Sequence, residues 1–545
     1  MRQPILIHHL LFILFISAAK LLFFFKTCNG YPGCLRRILL LPSLPNPIFN
    51  KRMDEYGLEY TLDEALVAVG FGKFQGLVLL YAGLGLFAEA MEIMILSFVG
   101  LAIETEWGLS SSQKSLLTSV VFAGMLIGAY SWGLISDNMG RKKGLLGSTI
   151  LTSGAGLLST FSPNYISLLI LRSLVGIGLG GGPVFTTWFL EFVPASNRGM
   201  WMVVFSAFWT FGTIFEASVA WIVMPRLGWR WLLGISSLPS IALLLFYSLA
   251  PESPRYLCTK GRTSDAHKIL EKIALLNQTK LPHGMLVSDS TTRLDEQSSS
   301  SGYSPLLSSA SENILNTKSG FSSFLTLFSS KLIRTTLLLW VLCFGNSFSY
   351  YGIVLLTSEL SGSQSKCRSA ILYFENLQEN SIYINLFVTS LAELPGLILS
   401  AVVLDRVGRK LSLIFMFVLA FVFLLPLVAY QPAIWTTVLL FGARMFVVAT
   451  FTVACIYCPE LYPTSVRATG YGVASAMGRI GGMVCPLVAV GLVNSCQIEE
   501  AIVLFEVIIA TSAISVLFFP FETKGRELSD SVAAFGPKQI LHHPL

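Results

Sequence analysis

The sequence predicts an all-α membrane protein with twelve transmembrane helices arranged as two six-helix bundles. Hydrophobic residues make up 53% of the 545 residues and charged residues only 12%. With a mean hydropathy of +0.68, the chain has too little polar surface to cover a soluble globule. Its apolar runs match the roughly 20 residues that a helix needs to cross a bilayer. They lack the alternation of barrel strands, so we predict helices, which pair their backbone groups internally.

An internal repeat divides the chain into two halves. In each half a charged turn with the pattern Asp-x-x-x-Arg is followed by a second pattern, Glu-x-x-Pro-x-x-x-Arg. Both patterns return after about 270 residues, and two unrelated patterns with one period indicate a duplicated unit. The matched residues are Asp137, Arg141, Glu191 and Arg198 in the first half and Asp405, Arg409, Glu460 and Arg467 in the second.

Hydropathy places six helices in each half. The predicted helices cover 75–100, 114–135, 145–162, 166–190, 200–224 and 230–250, and then 332–357, 382–403, 411–430, 434–458, 466–492 and 499–520. The predicted units are a hydrophobic N-terminal extension at 1–52, a six-helix bundle at 53–250, an insert with a Ser-rich segment at 251–331, a second bundle at 332–528 and a tail at 529–545.

The N-terminal extension allows three interpretations. Its apolar part, 10–25, is short for a membrane span, and several prolines follow it. It could be a signal anchor, an extra span or an upstream extension that is absent from the mature protein. We favour the last, because Met53 opens an acidic, ordinary-looking start. In the insert we predict a charged helix from Asp265 to Asn277, followed by disorder in the Ser-rich part.

The formal net charge of +6 is spread through short loops. Under the predicted helix count, most Lys and Arg residues fall on one side of the membrane, so the positive-inside rule places both termini and the insert in the cytoplasm. We interpret the charge as an orientation signal and not as a nucleic-acid site. The predicted partners are therefore the lipid bilayer and a small molecule, and we expect a monomer.

Ionisable residues inside the apolar runs are the strongest functional candidates, because a charge in lipid is costly and normally faces a cavity or a partner. They are Glu89, Glu92, Arg172, Glu216, Glu393, Arg444, Arg479 and Glu506. At about 1.5 Å of rise per residue, the helix positions of Glu92, Arg172 and Glu216 are at similar depth. Structural ion pairing is the alternative to a functional role.

Aromatic residues on the fifth and seventh helices could stack on a planar ring or on an alkylammonium group. We predict that Trp209, Tyr350 and Tyr351 line the cavity, while most other aromatics face lipid or packing neighbours. Gly176, Gly178 and Gly181 match a dinucleotide fingerprint, but they lie within an apolar helix with no preceding strand. We interpret these glycines as marks of tight helix packing.

The cysteines do not predict a metal site. Cys455 and Cys458 have zinc-like spacing, but they lie at the end of a membrane helix without a second pair. Cys367 and Cys496 are both placed in outside loops, where oxidising conditions permit a disulfide. We treat that disulfide as an open possibility.

The paired charged turns and the Glu-x-x-Pro-x-x-x-Arg patterns resemble those of the major facilitator superfamily of secondary transporters. The resemblance implies the major facilitator fold and a cytoplasmic charge network that holds the inside gate shut, formed by the eight matched residues given above. Residues 251–257 and 520–526 also resemble sugar-porter-like members, although Phe521 interrupts the second stretch and leaves Glu522 without an assigned partner. Residues 83–92, 131–133 and 459–464 are similar to plant organic cation/carnitine transporters, a branch near the nicotinate transporters and synaptic-vesicle-protein relatives.

This resemblance implies an alternating-access transporter of a small organic cation or a carnitine-like zwitterion, with no cofactor. The membrane potential could drive accumulation of a monovalent cation without a coupled ion, whereas a zwitterion or an anion needs proton symport, so protons are the expected coupling ion. Buried Glu89 or Glu92 could carry the proton, since burial favours the neutral form of a carboxyl group. A nicotinate-like aromatic carboxylate is the alternative substrate, and a non-transporting vesicle protein or sensor is the rival class. No nucleophile, metal or cofactor constellation suggests an enzyme. The expected location is the plasma membrane or a vacuolar or vesicle membrane.

Overall fold

The computed structural model describes residues 59–194, 198–287, 325–366, 380–429, 431–462, 466–495 and 497–524. These residues form twelve helical spans, six in each half, together with a small module near the first span. The predicted N-terminal extension, the Ser-rich segment and the C-terminal tail lie outside the described residues, as do Cys367 and Cys496.

The first half contains spans 1 to 6, preceded by β1 (Glu59–Tyr60) and α1 (Leu62–Val69). Span 1 is α2 (Lys73–Met94) with α3 (Leu96–Trp107), span 2 is α4 (Ser111–Met139), span 3 is α5 (Arg141–Ser159), span 4 is α6 (Tyr165–Leu179) with α7 (Gly182–Leu190), span 5 is α8 (Arg198–Leu227), and span 6 is α9 (Trp229–Ser236) with α10 (Leu238–Leu245). The insert contributes α11 (Pro254–Thr259), α12 (Thr263–Asn277) and β2 (Met285–Leu286).

The second half contains spans 7 to 12. Span 7 is α13 (Ile333–Lys366), span 8 is α14 (Asn380–Leu391) with α15 (Glu393–Val407), span 9 is α16 (Arg409–Leu424) with a 3-10 turn (Leu425–Val428), span 10 is α17 (Ala433–Glu460), span 11 is α18 (Arg467–Asn494), and span 12 is α19 (Ile498–Leu517). We call the end of the bundle with the turns at Gly140 and Gly408 the motif end, and the other the opposite end.

The structure agrees with the predicted helix count and places most boundaries within a few residues. Ten of the helices are long and apolar enough to cross a membrane, and the other two spans are Arg141–Ser159 and the 17-residue pair Trp229–Leu245. Breaks in spans 4 and 8 were not predicted. Pro183 and Pro395 lie just after these breaks, and a proline cannot donate the backbone hydrogen bond that would continue the helix.

Spans 2 and 4 pack backbone against backbone, as the glycine pattern predicted. A Cβ atom on Gly176 would lie 2.2 Å from the Val121 carbonyl oxygen, and one on Gly128 would lie 2.0 Å from the Ile177 carbonyl oxygen. Only glycine permits so close an approach at these two positions. The close approach of spans 2 and 4 agrees with the interpretation of these glycines as marks of tight helix packing.

Part of the insert packs against the first half at the motif end. Asn277, at the end of α12, accepts a 3.0 Å hydrogen bond from the Phe74 backbone N–H and donates to Gln75 Oε1 over 2.7 Å. Tyr60 Oη and His267 Nδ1 are 2.9 Å apart, and β1 pairs in parallel with β2. The predicted charged helix is present, and these contacts fix it to the start of span 1.

Candidate functional site

A buried ion pair between Glu393 and Arg444 lies near the middle of spans 8 and 10. Arg444 donates to Glu393 Oε1 from Nη2 over 2.6 Å and from Nε over 3.1 Å. Both side chains are fully buried, with 0% of each exposed. Glu393 begins α15 directly after the break in span 8, so the helix starts at the charged residue. Negative charge is favourable at the start of a helix.

Hydrogen bonds from span 5 join this ion pair to the first half. Thr213 Oγ1 lies 3.0 Å from Glu393 Oε2, and Trp209 Nε1 donates to Tyr350 Oη over 2.9 Å. The Tyr350 hydroxyl in turn donates to Glu393 Oε1 over 3.0 Å. We call these three hydrogen bonds the central tie. They connect side chains of both halves at one buried carboxylate.

Aromatic rings surround the central tie. The Tyr350 ring lies 5.1 Å from Tyr351, 5.8 Å from Phe451 and 6.4 Å from Trp209, measured between ring centroids. Phe122 of span 2 lies 4.6 Å from Tyr351. The structure thus brings together the three predicted cavity aromatics and adds two that the sequence did not single out. Ring faces beside a carboxylate are suited to an alkylammonium group.

Glu92 and Arg172, which the sequence placed at similar depth, form an ion pair in the first half. Arg172 Nη1 lies 2.8 Å from Glu92 Oε2, and both side chains are 1% exposed. Arg172 Nε donates to Ser159 of span 3 over 3.2 Å. Glu92 Oε1 and Arg172 Nη2 have no hydrogen-bond partner among the described residues. The contacts of this pair come from spans 1, 3 and 4, so it lies within the first half.

Glu216 lies close to this pair, as its predicted depth suggested. Its two oxygens accept from the Ser236 hydroxyl of span 6 at 2.9 and 2.8 Å. A hydroxyl has one proton, so it satisfies one of these oxygens at a time. Glu216 is also close enough to Glu92 for their charges to repel. Glu216 is therefore a second buried carboxylate near Glu92, and its described hydrogen-bond partner is a hydroxyl group.

Glu89 lies beside a small cavity instead of an ion pair. The cavity has a volume of about 20 Å³ and is lined by spans 1, 3, 4 and 6, including Ser148, Thr152 and Ser240. This volume is enough for about one water molecule.

Arg479 of span 11 acts on Glu89 electrostatically without a described hydrogen bond. Glu506 of span 12 is 5% exposed, and neither of its oxygens has a hydrogen-bond partner among the described residues.

The charged turn of the first half is organised around Arg141. Its guanidinium contacts Asp137 and lies 3.1 Å from Glu191 Oε1. Burial raises the pKa of the Glu191 carboxyl, and the Arg141 charge acts in the opposite direction. Arg198 differs from the expectation, because its ion-pair partner is Asp63 of α1, at 3.8 Å. Asp63 also pairs with Arg255 of the insert.

The charged turn of the second half repeats part of this arrangement. Arg409 Nε lies 3.2 Å from Glu460 Oε2, and the Thr523 hydroxyl donates to the same oxygen over 2.5 Å. Arg467 donates to the backbone carbonyls of Pro459 and Tyr462. The Asp405 side chain lies outside what the structure describes. The described ion pairs of both turns join spans of the same half.

Two anchoring carboxylates were missed by the sequence analysis. Glu522 accepts hydrogen bonds from the backbone N–H groups of Arg409 and Lys410 over 2.7 and 2.8 Å. Glu252 accepts from Lys142 N over 3.2 Å at the corresponding turn. Both carboxylates therefore cap the start of the helix that follows the charged turn. Their separation of about 270 residues matches the repeat period and could have revealed them.

The cysteines of spans 7 and 10 form a thiol pair, not the Cys455–Cys458 unit. Cys343 Sγ and Cys458 Sγ are 3.8 Å apart, and both cysteines are free. Within the described ranges, no group of three or more His, Cys, Asp or Glu side chains could hold a metal ion. The predicted Cys367–Cys496 disulfide lies outside those ranges and stays a prediction.

The chain is similar in sequence and in fold to known transporters. Residues 80–535 match the family described as "Sugar (and other) transporter". The chain is 55% identical over 493 residues to organic cation/carnitine transporter 7 of Arabidopsis thaliana, covering 88% of this chain and 98% of the relative. It is 38% identical to the synaptic vesicle 2-related protein of Xenopus laevis, covering 87% and 83%. The E. coli xylose transporter XylE, in a partially occluded inward-open conformation, has the same fold with a TM-score of 0.65, 16% identity and coverage of 84% and 100%.

Proposed function

Because the chain belongs to the sugar (and other) transporter family, within the major facilitator superfamily, we propose that it carries a small organic cation or carnitine-like zwitterion with proton coupling. The observation that carries this proposal is the buried Glu393 carboxylate, surrounded by aromatic rings where the two halves meet. The relative from Arabidopsis is named for organic cations and carnitine, which points to the same substrate chemistry.

Alternating access requires that the two halves separate at the substrate site. Two hydrogen bonds of the central tie, Trp209 to Tyr350 and Thr213 to Glu393, join span 5 to spans 7 and 8. These bonds can break and form again without unfolding either half. A substrate that reaches the rings must therefore meet the site when the central tie is open.

Energetics decide which substrates need a coupling ion. A membrane potential supplies about 2.3 kcal/mol per charge per 100 mV, so a monovalent cation can accumulate without coupling. A zwitterion gains nothing from the potential and requires a second gradient. We assign the proton to the first-half cluster, where Glu92 is paired with Arg172 and the nearby Glu216 has the Ser236 hydroxyl as its described partner. If both carboxylates were charged, one buried charge would lack a counter-charge.

The orientation follows from the charged loops. We place the motif end, with Arg141, Arg409 and the insert, in the cytoplasm. We also propose that the carrier is a monomer and that it lies in the plasma membrane or in a vacuolar or vesicle membrane. A vesicle location is favoured by the similarity to synaptic vesicle 2-related proteins.

A nicotinate-like carboxylate is the second candidate substrate, because both buried arginines retain unused donors. Arg172 Nη2 and Arg444 Nη1 are buried without a hydrogen-bond partner among the described residues. A guanidinium binds a carboxylate well through two parallel hydrogen bonds. Competition between carnitine, choline, tetraethylammonium and nicotinate for uptake separates the candidates.

The decisive experiment is tracer uptake by the reconstituted full chain with and without an inward proton gradient. Glu92→Gln, which mimics the protonated acid, should bind and exchange carnitine but lose gradient-driven accumulation. Glu506→Gln is the matched control, since it removes a buried carboxylate of span 12 outside the proposed site. Gradient-driven accumulation by Glu92→Gln would eliminate Glu92 as proton carrier and leave Glu89 as the next candidate. A protein that carries none of the four compounds would support the non-transporting vesicle protein or sensor.

A further inference from the structure

We propose that the Glu393–Arg444 ion pair is a site for a zwitterion, which binds by separating the pair and taking one charge on each side. The quaternary or primary ammonium group of the substrate lies against Glu393 and the aromatic rings. Its carboxylate binds Arg444. This inference rests on the proposed function and narrows it from organic cations in general to molecules that carry both charges.

The Arg444 guanidinium has hydrogen-bond donors that Glu393 does not fully use. Both Arg444 donors that reach Glu393, Nε and Nη2, end on the single oxygen Oε1. The third nitrogen, Nη1, is buried and has no partner among the described residues. Unmatched donors of a buried charge are costly. A substrate carboxylate with two free oxygens could accept from two guanidinium nitrogens at once.

The Glu393 carboxylate also has an oxygen that is only partly satisfied by hydrogen bonds. Glu393 Oε2 accepts only the Thr213 hydroxyl, among the described hydrogen bonds, and that hydroxyl also lies 2.9 Å from the Thr210 carbonyl. The single proton of Thr213 is therefore shared between two acceptors. When spans 5 and 8 separate, Glu393 Oε2 loses its donor from the first half. An alkylammonium group beside the Tyr350 and Trp209 rings would then compensate the exposed charge.

The position of the pair distinguishes it from the similar pair in the first half. Glu393 and Arg444 contact Thr213 and Met94, which belong to spans 5 and 1 of the other half. The described hydrogen bonds of Arg172, in contrast, go to spans 1 and 3 of its own half. Only a pair at the boundary between the halves becomes accessible when the halves move apart. The Glu393–Arg444 pair is therefore the one that a substrate can divide.

Charge balance gives the selectivity. The pair is neutral as a unit, and a zwitterion keeps the occupied site neutral. A monovalent cation or anion leaves one buried charge without a counter-charge, which is unfavourable in a low-dielectric region. We expect the wild-type protein to bind carnitine at least about tenfold more tightly than choline, because a charged hydrogen bond contributes about that factor or more.

The test measures competition by carnitine, choline and nicotinate against labelled carnitine, together with thermal stabilisation of the purified full chain by each compound. Arg444→Gln should weaken carnitine binding by about 10- to 100-fold. Choline should bind as tightly as to the wild type or more tightly, because Glu393 is then a free anion. Glu393→Gln should weaken the binding of both carnitine and choline and leave nicotinate binding unchanged. A general folding defect would not produce these opposite changes.

Arg444→Gln leaves a buried carboxylate without its partner and could prevent folding. The double variant Glu393→Gln/Arg444→Gln avoids this, since it removes both charges and leaves a polar side chain at each position, and it should bind carnitine and choline equally. The control is Glu106→Gln/Arg230→Gln, which removes a half-exposed ion pair at the opposite end and should keep the wild-type ratio.

Two results separate the proposals. If the wild-type protein transports choline and carnitine, and the double variant keeps the wild-type preference between them, the zwitterion site is refuted while the proposed transporter function stands. If the wild-type protein neither binds nor carries either compound, the proposed function fails and this inference fails with it.

Discussion

Trp209→Phe should loosen the central tie without removing its aromatic packing. The substitution keeps a ring beside Tyr350 and deletes one donor, the indole N–H that lies 2.9 Å from the Tyr350 hydroxyl. A neutral hydrogen bond contributes about 0.5–1.5 kcal/mol net. The population in which spans 5 and 7 are separated should therefore rise about two- to thirteenfold, if the bond is present in one state and absent in the other.

Hydrogen–deuterium exchange of the purified chain measures this population. Backbone amides in the helix turns around Trp209, Tyr350 and Glu393 should exchange about two- to thirteenfold faster in Trp209→Phe, when exchange follows the opening equilibrium. Trp435→Phe is the matched control, because Trp435 is 59% exposed on span 10. Equal exchange in the two variants would show that the tie does not set the equilibrium between open and closed arrangements.

Three further predictions follow from packing and charge. Gly176→Ala should lower the melting temperature of the purified chain, because the new Cβ would lie 2.2 Å from a backbone oxygen and overpacking costs about 1–3 kcal/mol. The control Gly472→Ala places its Cβ in open space and should leave the melting temperature unchanged. Glu522→Gln should speed amide exchange at the start of α16, which loses a charged cap; protection equal to wild type would contradict that role. Glu191→Gln and Glu460→Gln should slow transport more than they reduce membrane insertion, and unchanged transport by both would remove the charged turns from gating.

The fold was predictable because membrane helices are specified by composition and length. A bilayer forces every backbone group into local hydrogen bonds, so about 20 apolar residues determine a helix with little help from distant residues. The duplicated motifs then gave the division into two bundles. The breaks in spans 4 and 8 were harder to predict, since a proline can kink a membrane helix without ending it.

The site was predictable as a set of residue types and not as a set of partners. Costly buried charges marked the eight ionisable candidates, and the structure pairs four of them with one another. Arg198 forms an ion pair with Asp63, a partner that the sequence analysis did not name. Asp63 lies in a short helix before span 1, and no repeat or hydropathy pattern connects it to Arg198.

The two buried ion pairs differ in a way that the repeat does not explain. Arg172 and Arg444 lie on spans 4 and 10, which correspond to each other in the two halves. Their carboxylates do not correspond, because Glu92 is on span 1 and Glu393 is on span 8, whose counterpart is span 2. The second-half pair is thereby shifted to where span 5 of the other half donates to it. Both pairs are internal to one half, but among the described hydrogen bonds only the second-half pair also receives one from the other half, so its partners change when the halves move. The displaced carboxylate makes one pair sensitive to that movement, which is what coupling substrate binding to alternating access requires.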